Sequence, residues 1–178
     1  TFNLMLGLAA VGKPLILTLI GEKWVPSVIY LQMLCFVGMF YPLHALNLDM
    51  LQVQGRTDLY LRLEILKKIL AIPVIIMGIL YGIKIMIFGM IINTLIAYYL
   101  NSFWSGRFIG YSFSAQIKDV FPSFVFASLV NLIVFFEGLL LPFNALSLLV
   151  IQLFSGGVLI LFFGEIFTLK EYILIKNI

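Results

Sequence analysis

Residues 41–68 read YPLHALNLDMLQVQGRTDLYLRLEILKK, and they hold eight of the chain's twenty charged or histidine side chains. On either side the chain is strongly apolar. Of its 178 residues 63% are hydrophobic and 11% charged, and the mean hydropathy is +1.16. Soluble domains carry about 25% charged residues. A soluble core of this size cannot hide so much apolar surface, so most side chains are expected to meet lipid. The 41–68 stretch then reads as a wetted interruption between membrane spans.

Working outward from it, six apolar segments are predicted, at 2–20, 27–54, 59–81, 84–104, 114–136 and 143–167, followed by a charged tail at 168–178. They are punctuated by GEKWVP, GRTD, SGRFIGYS and EGLLLP. Each segment approaches or exceeds the roughly 20 residues that cross a hydrocarbon layer of about 30 Å. A helix satisfies its own backbone in lipid, and the short alternating strands of a membrane barrel are absent from the pattern. The expected fold is therefore all-α and integral to the membrane, with about six transmembrane helices, short connections and antiparallel neighbours.

Lysine and arginine orient the spans. Arg56, Arg62, Lys67, Lys68, Arg107, Lys118, Lys170 and Lys176 fall on one side; Lys23 and Lys84 fall on the other. The first side is expected to be cytoplasmic. Trp24, Tyr81, Trp104 and Tyr111 sit near predicted boundaries, where interfacial aromatics belong. Within 56–68, Asp58 is expected to cap a helix, Glu64 and Lys68 to pair at i,i+4, and the cations to reach lipid phosphates. The prolines at 42, 73 and 122 lie inside predicted spans and favour kinks.

Catalytic signals are nearly absent. One histidine and one cysteine cannot form a metal cluster or a disulfide, and no cofactor motif appears. Cys35, in an apolar run, reads as packing. A net charge of +3, scattered along the chain, does not suit nucleic acid. A membrane enzyme usually gathers several carboxylates or histidines at one interface; Asp49, Asp58 and Glu64 are the candidates.

Polar groups inside spans are more informative, since they are costly there and turn towards a bundle interior or a wet cavity. The second segment carries Gln32, His44, Asn47, Asp49, Gln52 and Gln54. His44 and Asn47 share one face; Asp49 and Gln52 share a neighbouring one. Either these residues line a water-accessible vestibule, or they bond helix to helix near an interface. Asn93, Asn131 and Gln152 read as helix–helix hydrogen bonds, and the Ser-Gly-Gly at 155–157 as close helix packing.

Several local patterns carry a resemblance. GEKW with its proline, YLQ, YPLHALN, QGR with its aspartate, LEI with KK, and the later GYSFSAQIKDVFPS are similar to bacterial polysaccharide flippases of the Wzx type, relatives of the MATE drug exporters. The match covers about 13–135 and is most specific in its first part. It implies a two-bundle, MATE-like transporter of 12 or 14 helices, of which this chain is expected to be the C-terminal portion, beginning at Thr1 as a fragment. It also implies export of an undecaprenyl-pyrophosphate-linked oligosaccharide across the bacterial inner membrane by alternating access. The implied partners are that substrate, membrane lipids and an N-terminal helical bundle. No catalytic residue, metal or cofactor carries over. Lys13, Arg56 and Arg62 are the cations that could engage the pyrophosphate, with His44, Asn47 and Asp49 as further cavity candidates. A MATE-type small-molecule exporter and an envelope enzyme or assembly subunit are the alternatives.

Lys13 is the boldest of these assignments. It stands about seven residues, or roughly 10 Å, from the end of the first segment, beyond easy snorkelling reach. It is expected to face the central cavity, the alternative being a lysine that snorkels to the interface or pairs with a carboxylate of a neighbouring helix.

Overall fold

Two prolines decide where the early helices break. A proline in a helix clashes with the carbonyl four residues back. In the computed structural model, which describes residues 1–166, α1 (Phe2–Ala10) ends four residues before Pro14, and α3 (Val28–Gly38) ends four residues before Pro42. In the helices that follow, α2 (Gly12–Leu19) and α4 (Tyr41–Val53), each proline lies in the first turn, where its missing N–H costs nothing. The first predicted segment is therefore a broken one, bent by 64° between α1 and α2. Pro73 and Pro122, by contrast, lie within α5 (Thr57–Tyr81) and α7 (Phe113–Leu140), both uninterrupted.

The remaining elements are a 3₁₀ turn at Glu22–Ser27, α6 (Ile83–Ile109) and α8 (Ala145–Ile166). The described residues are helical with no strand, and the chain is an all-α, multi-pass membrane protein. Four helical stretches are long and apolar enough to cross a membrane: Glu22–Val53, Ile83–Ile109, Phe113–Leu140 and Ala145–Gly164. The bent α1–α2 pair makes up to five. Of the six expected spans, 59–81 is the one that does not qualify by length and composition. Glu64, Lys67 and Lys68 interrupt it, and 69–81 alone covers about 20 Å. The predicted tail at 168–178, with Lys170 and Lys176, lies outside the described residues.

The chain divides into two units. Unit 1 is Met33–Val120 together with Thr1. Its frame is the antiparallel hairpin of α5 and α6, joined through Gly82 alone, whose φ of 91° favours glycine. Gly78 faces Met86 and Gly89 faces Val74, so small residues let the two helices approach closely. At the other end, α4 joins the hairpin through a core of Leu48, Leu51, Leu59 and Leu63, with Tyr60, Leu100 and Trp104 packed against it. Trp104 is thus a packing residue. Helix α6 runs past it to Ile109 and ends at Gly110, in the left-handed conformation. The expected SGRFIGYS connector shrinks accordingly: Ser105 is buried within α6 and donates its hydroxyl to Asn47 of α4. Arg56 lies over the Phe108 ring at 4.7 Å, so the α4–α5 turn and the end of α6 share one end of the unit. Lys84 begins α6 at the opposite end.

Unit 2 is Phe2–Gln32 with the described residues from Phe121 onward. Ala10, Val11, Val134 and Leu149 form its core. The break after α1 frees the Ala9 carbonyl, and Gln32 Nε2 donates to it at 3.1 Å. Freed backbone in lipid needs such a partner. Asn131 donates to the Ala127 carbonyl and reaches Asn3 Oδ1 at 3.4 Å; Gln152, 1% exposed, donates to the Val134 carbonyl at 2.7 Å. Both fulfil the helix-bonding expectation. Gly156 packs on Val134, whereas Gly157 faces open space. Glu137, expected in a connector, lies within α7 and accepts a bond from the Ser155 hydroxyl.

Candidate functional site: a polar cavity among α4, α5 and α6

Three helical strides converge in unit 1. Tyr41, His44, Ala45, Leu48 and Asp49 follow one face of α4. Tyr60, Glu64 and Lys67 recur at i, i+4 and i+7 on α5. Asn93, Thr94 and Ala97 supply one face of α6. Together they line a half-open cavity of about 450 Å³. Ligand sites commonly span about 300–1,000 Å³. Lys67 pairs with Glu64 inside it, so the expected Glu64–Lys68 pair is replaced by an i,i+3 pair. The reason is angular: Lys67 lies on the cavity face with Glu64, while Lys68 projects outward and is exposed. Asp49 lines the cavity, is itself exposed, and has no ion-pair partner among the described residues.

The two residues expected on one face of α4 have different neighbours. His44 Nδ1 lies 3.4 Å from Asn101 Nδ2, and its ring stands edge-on to Tyr98. Asn47 instead enters a buried network. Its Nδ2 donates to Gln116 Oε1 at 3.0 Å and to the Leu43 carbonyl at 2.8 Å, and its Oδ1 accepts from the Ser105 hydroxyl. Ser102 also donates to Gln116 Oε1, at 2.7 Å. This network ties α4, α6 and the start of α7. A second hollow of about 200 Å³ adjoins it, bordered by Asn47, Met50, Tyr111 and Gln116 among others.

Arg56 and Arg62 lie outside both hollows. Arg56 grips Asp58 through two contacts of 3.1 and 3.2 Å. Asp58 therefore does not act as the helix cap. It sits in the first turn of α5, where a carboxylate meets the positive end of the helix dipole. The bond from Arg56 holds the Asp58 carboxyl below its ordinary range, and the same bond raises Arg56. Arg62 is exposed on the outer side of α5. Lys13 is exposed on α2, whose Gly12, Pro14 and Ile16 are buried, and it lines neither hollow. The depth argument for Lys13 assumed a straight first span, which the bend removes.

Beyond the α6–α7 turn, Tyr111 donates its hydroxyl to Asp119, and this bond pushes the Tyr111 phenol up to about 12. Ser112 caps α7, accepting from the Ala115 N–H at 3.3 Å.

Of the lining residues, His44 and Asp49 are those expected from sequence; Lys67, expected to reach lipid phosphates, and Asn93, expected to bond helix to helix, also line the cavity, as do Tyr60 and Thr94. The 60–64–67 stride was a legible signal for that face of α5. Among the described residues no three His, Cys, Asp or Glu side chains gather as metal ligands. The cavity can hold a polar ligand through carboxylate, ammonium, amide, hydroxyl and aromatic groups. No family model, curated protein or solved structure matches the chain.

Proposed function

We propose that the chain forms the C-terminal part of a Wzx-type flippase, exporting an undecaprenyl-pyrophosphate-linked oligosaccharide across the bacterial inner membrane by alternating access. The sequence resemblance supplies the family. The observation that carries the reading is the cavity, in which Asp49, Glu64, Lys67, Asn93 and Thr94 converge between otherwise apolar helices. Polar groups at membrane depth are costly unless they meet water, one another or a substrate. Aromatic faces beside amides and carboxylates suit sugar rings and hydroxyls. On this reading α5 also crosses the membrane, antiparallel to α6, with its charged half turned partly into the cavity.

A second reading draws on the carboxylates: Asp49 and Glu64 would also suit a MATE-type exporter of small cations. Both readings are tested in a strain lacking its own flippase and carrying the full-length protein. Restored surface glycan, with no gain in resistance to organic cations, supports the flippase. Unrestored glycan with increased cation efflux would replace it by the exporter.

A further inference from the structure

The resemblance leads one to expect a cationic cavity for a pyrophosphate. The charges that line the hollow are different. Helix α4 contributes Asp49 and His44, α5 contributes Glu64 and Lys67, and the lining residues of α6 carry no charge. The remaining charged groups of these helices, such as Arg62, Lys84 and Arg107, do not line it. With His44 neutral, the formal sum is one negative charge. Lys67, the single cation of the lining, is already bonded to Glu64. Asp49 is left as an uncompensated carboxylate at the wall of a space of about 450 Å³.

A pyrophosphate would meet Asp49 and Glu64 as like charges, with a cation committed elsewhere. An acidic sugar would meet the same repulsion. A sugar ring with a free amino group would offer Asp49 a charge-assisted hydrogen bond. Its hydroxyls would find Asn93, Thr94 and Tyr60, which line the same space. The volume suits one or two sugar rings, at the low end of common ligand sites of about 300–1,000 Å³. We infer that this cavity receives the glycan portion of the substrate, selects units bearing a free amino group over acidic ones, and does not hold the pyrophosphate. This inference rests on the flippase reading.

The test is saccharide binding to the full-length protein in nanodiscs. The probes are glucosamine disaccharide, its N-acetylated counterpart, galacturonic acid disaccharide, and inorganic pyrophosphate. The expected order is amino first, N-acetylated next and acidic last, with about three- to tenfold between first and last. Asp49→Asn should remove most of that preference. Asp49 is exposed, so this variant should fold, which size-exclusion profiles would check. Equal or tighter binding of the acidic disaccharide would overturn the inference. So would Asp49-dependent binding of pyrophosphate, or a preference unchanged in Asp49→Asn. If no saccharide binds while glycan export is restored in cells, this inference fails and the flippase reading survives. If export also fails, both fall.

Discussion

Single residues carry the sharpest contrasts in close packing. A methyl group on Gly106 would come within 2.6 Å of the Tyr111 carbonyl oxygen, a backbone atom with little freedom to move. A methyl group on Gly157 would meet nothing within 4 Å. Gly106→Ala should therefore cost about 1–3 kcal/mol, as overpacking does. Gly157→Ala should be neutral or stabilising by up to about 1 kcal/mol. Thermal unfolding in detergent would compare the two, and equal effects would contradict the close approach of Gly106 to the turn after α6. Tyr111, in that turn, gives a pH signature. Its folded pKa is near 12 against an ordinary 10, through the bond to Asp119. An acid whose folded pKa is raised is stabilising below its unfolded pKa, and that contribution disappears as pH climbs from about 10 to 12. The phenolate absorbance lost in Tyr111→Phe should accordingly titrate near 12, and Asp119→Asn should bring it down towards 10. Titration near 10 in the unaltered protein would remove the bond.

The helical elements and most of their connections were legible because lipid imposes length and hydropathy, and GEKW, QGR and GYS punctuate the pattern. Breaks were less legible. Pro42, Pro73 and Pro122 are alike expected to kink their spans, yet of the three a helix breaks only before Pro42, and continuous helices accommodate Pro73 and Pro122. The first break is stabilised from a distance, by Gln32 on the Ala9 carbonyl. That bond joins residues 23 positions apart and could not be read from local pattern. Gln32→Leu should cost about 0.5–2 kcal/mol, the range for polar bonds between membrane helices. In a Pro14→Ala background, where α1 and α2 can rejoin and use that carbonyl themselves, the cost should shrink. A double-mutant cycle measures this coupling; additive costs would contradict the capping role.

For the whole molecule, the predicted charge asymmetry has a counterpart within unit 1. The end bearing Arg56 also bears Arg107, whose guanidinium lies 4.3 Å from the Phe103 ring centre, and Lys84 occupies the opposite end. Single-cysteine variants at 84 and 107 in the full-length protein should label from opposite sides of the membrane, with 107 cytoplasmic. Labelling of 107 from outside would reverse the orientation.

The candidate site was half legible. His44 and Asp49 stood out as polar residues in an apolar run, but the partition of α4 between a cavity and the Asn47 network depends on what α5 and α6 bring alongside. A flippase needs that cavity to be wet at membrane depth. The direct measurement replaces the buried Cys35, then introduces single cysteines in full-length protein at Ala45 and Thr94, which line the cavity, and at Ile96, exposed on another side of α6. Each is exposed to a water-soluble maleimide in membrane vesicles of both orientations. Labelling of 45 and 94 at least tenfold faster than 96 is the expected result. Equal rates at the three positions, or unreactive cysteines at 45 and 94, would contradict it.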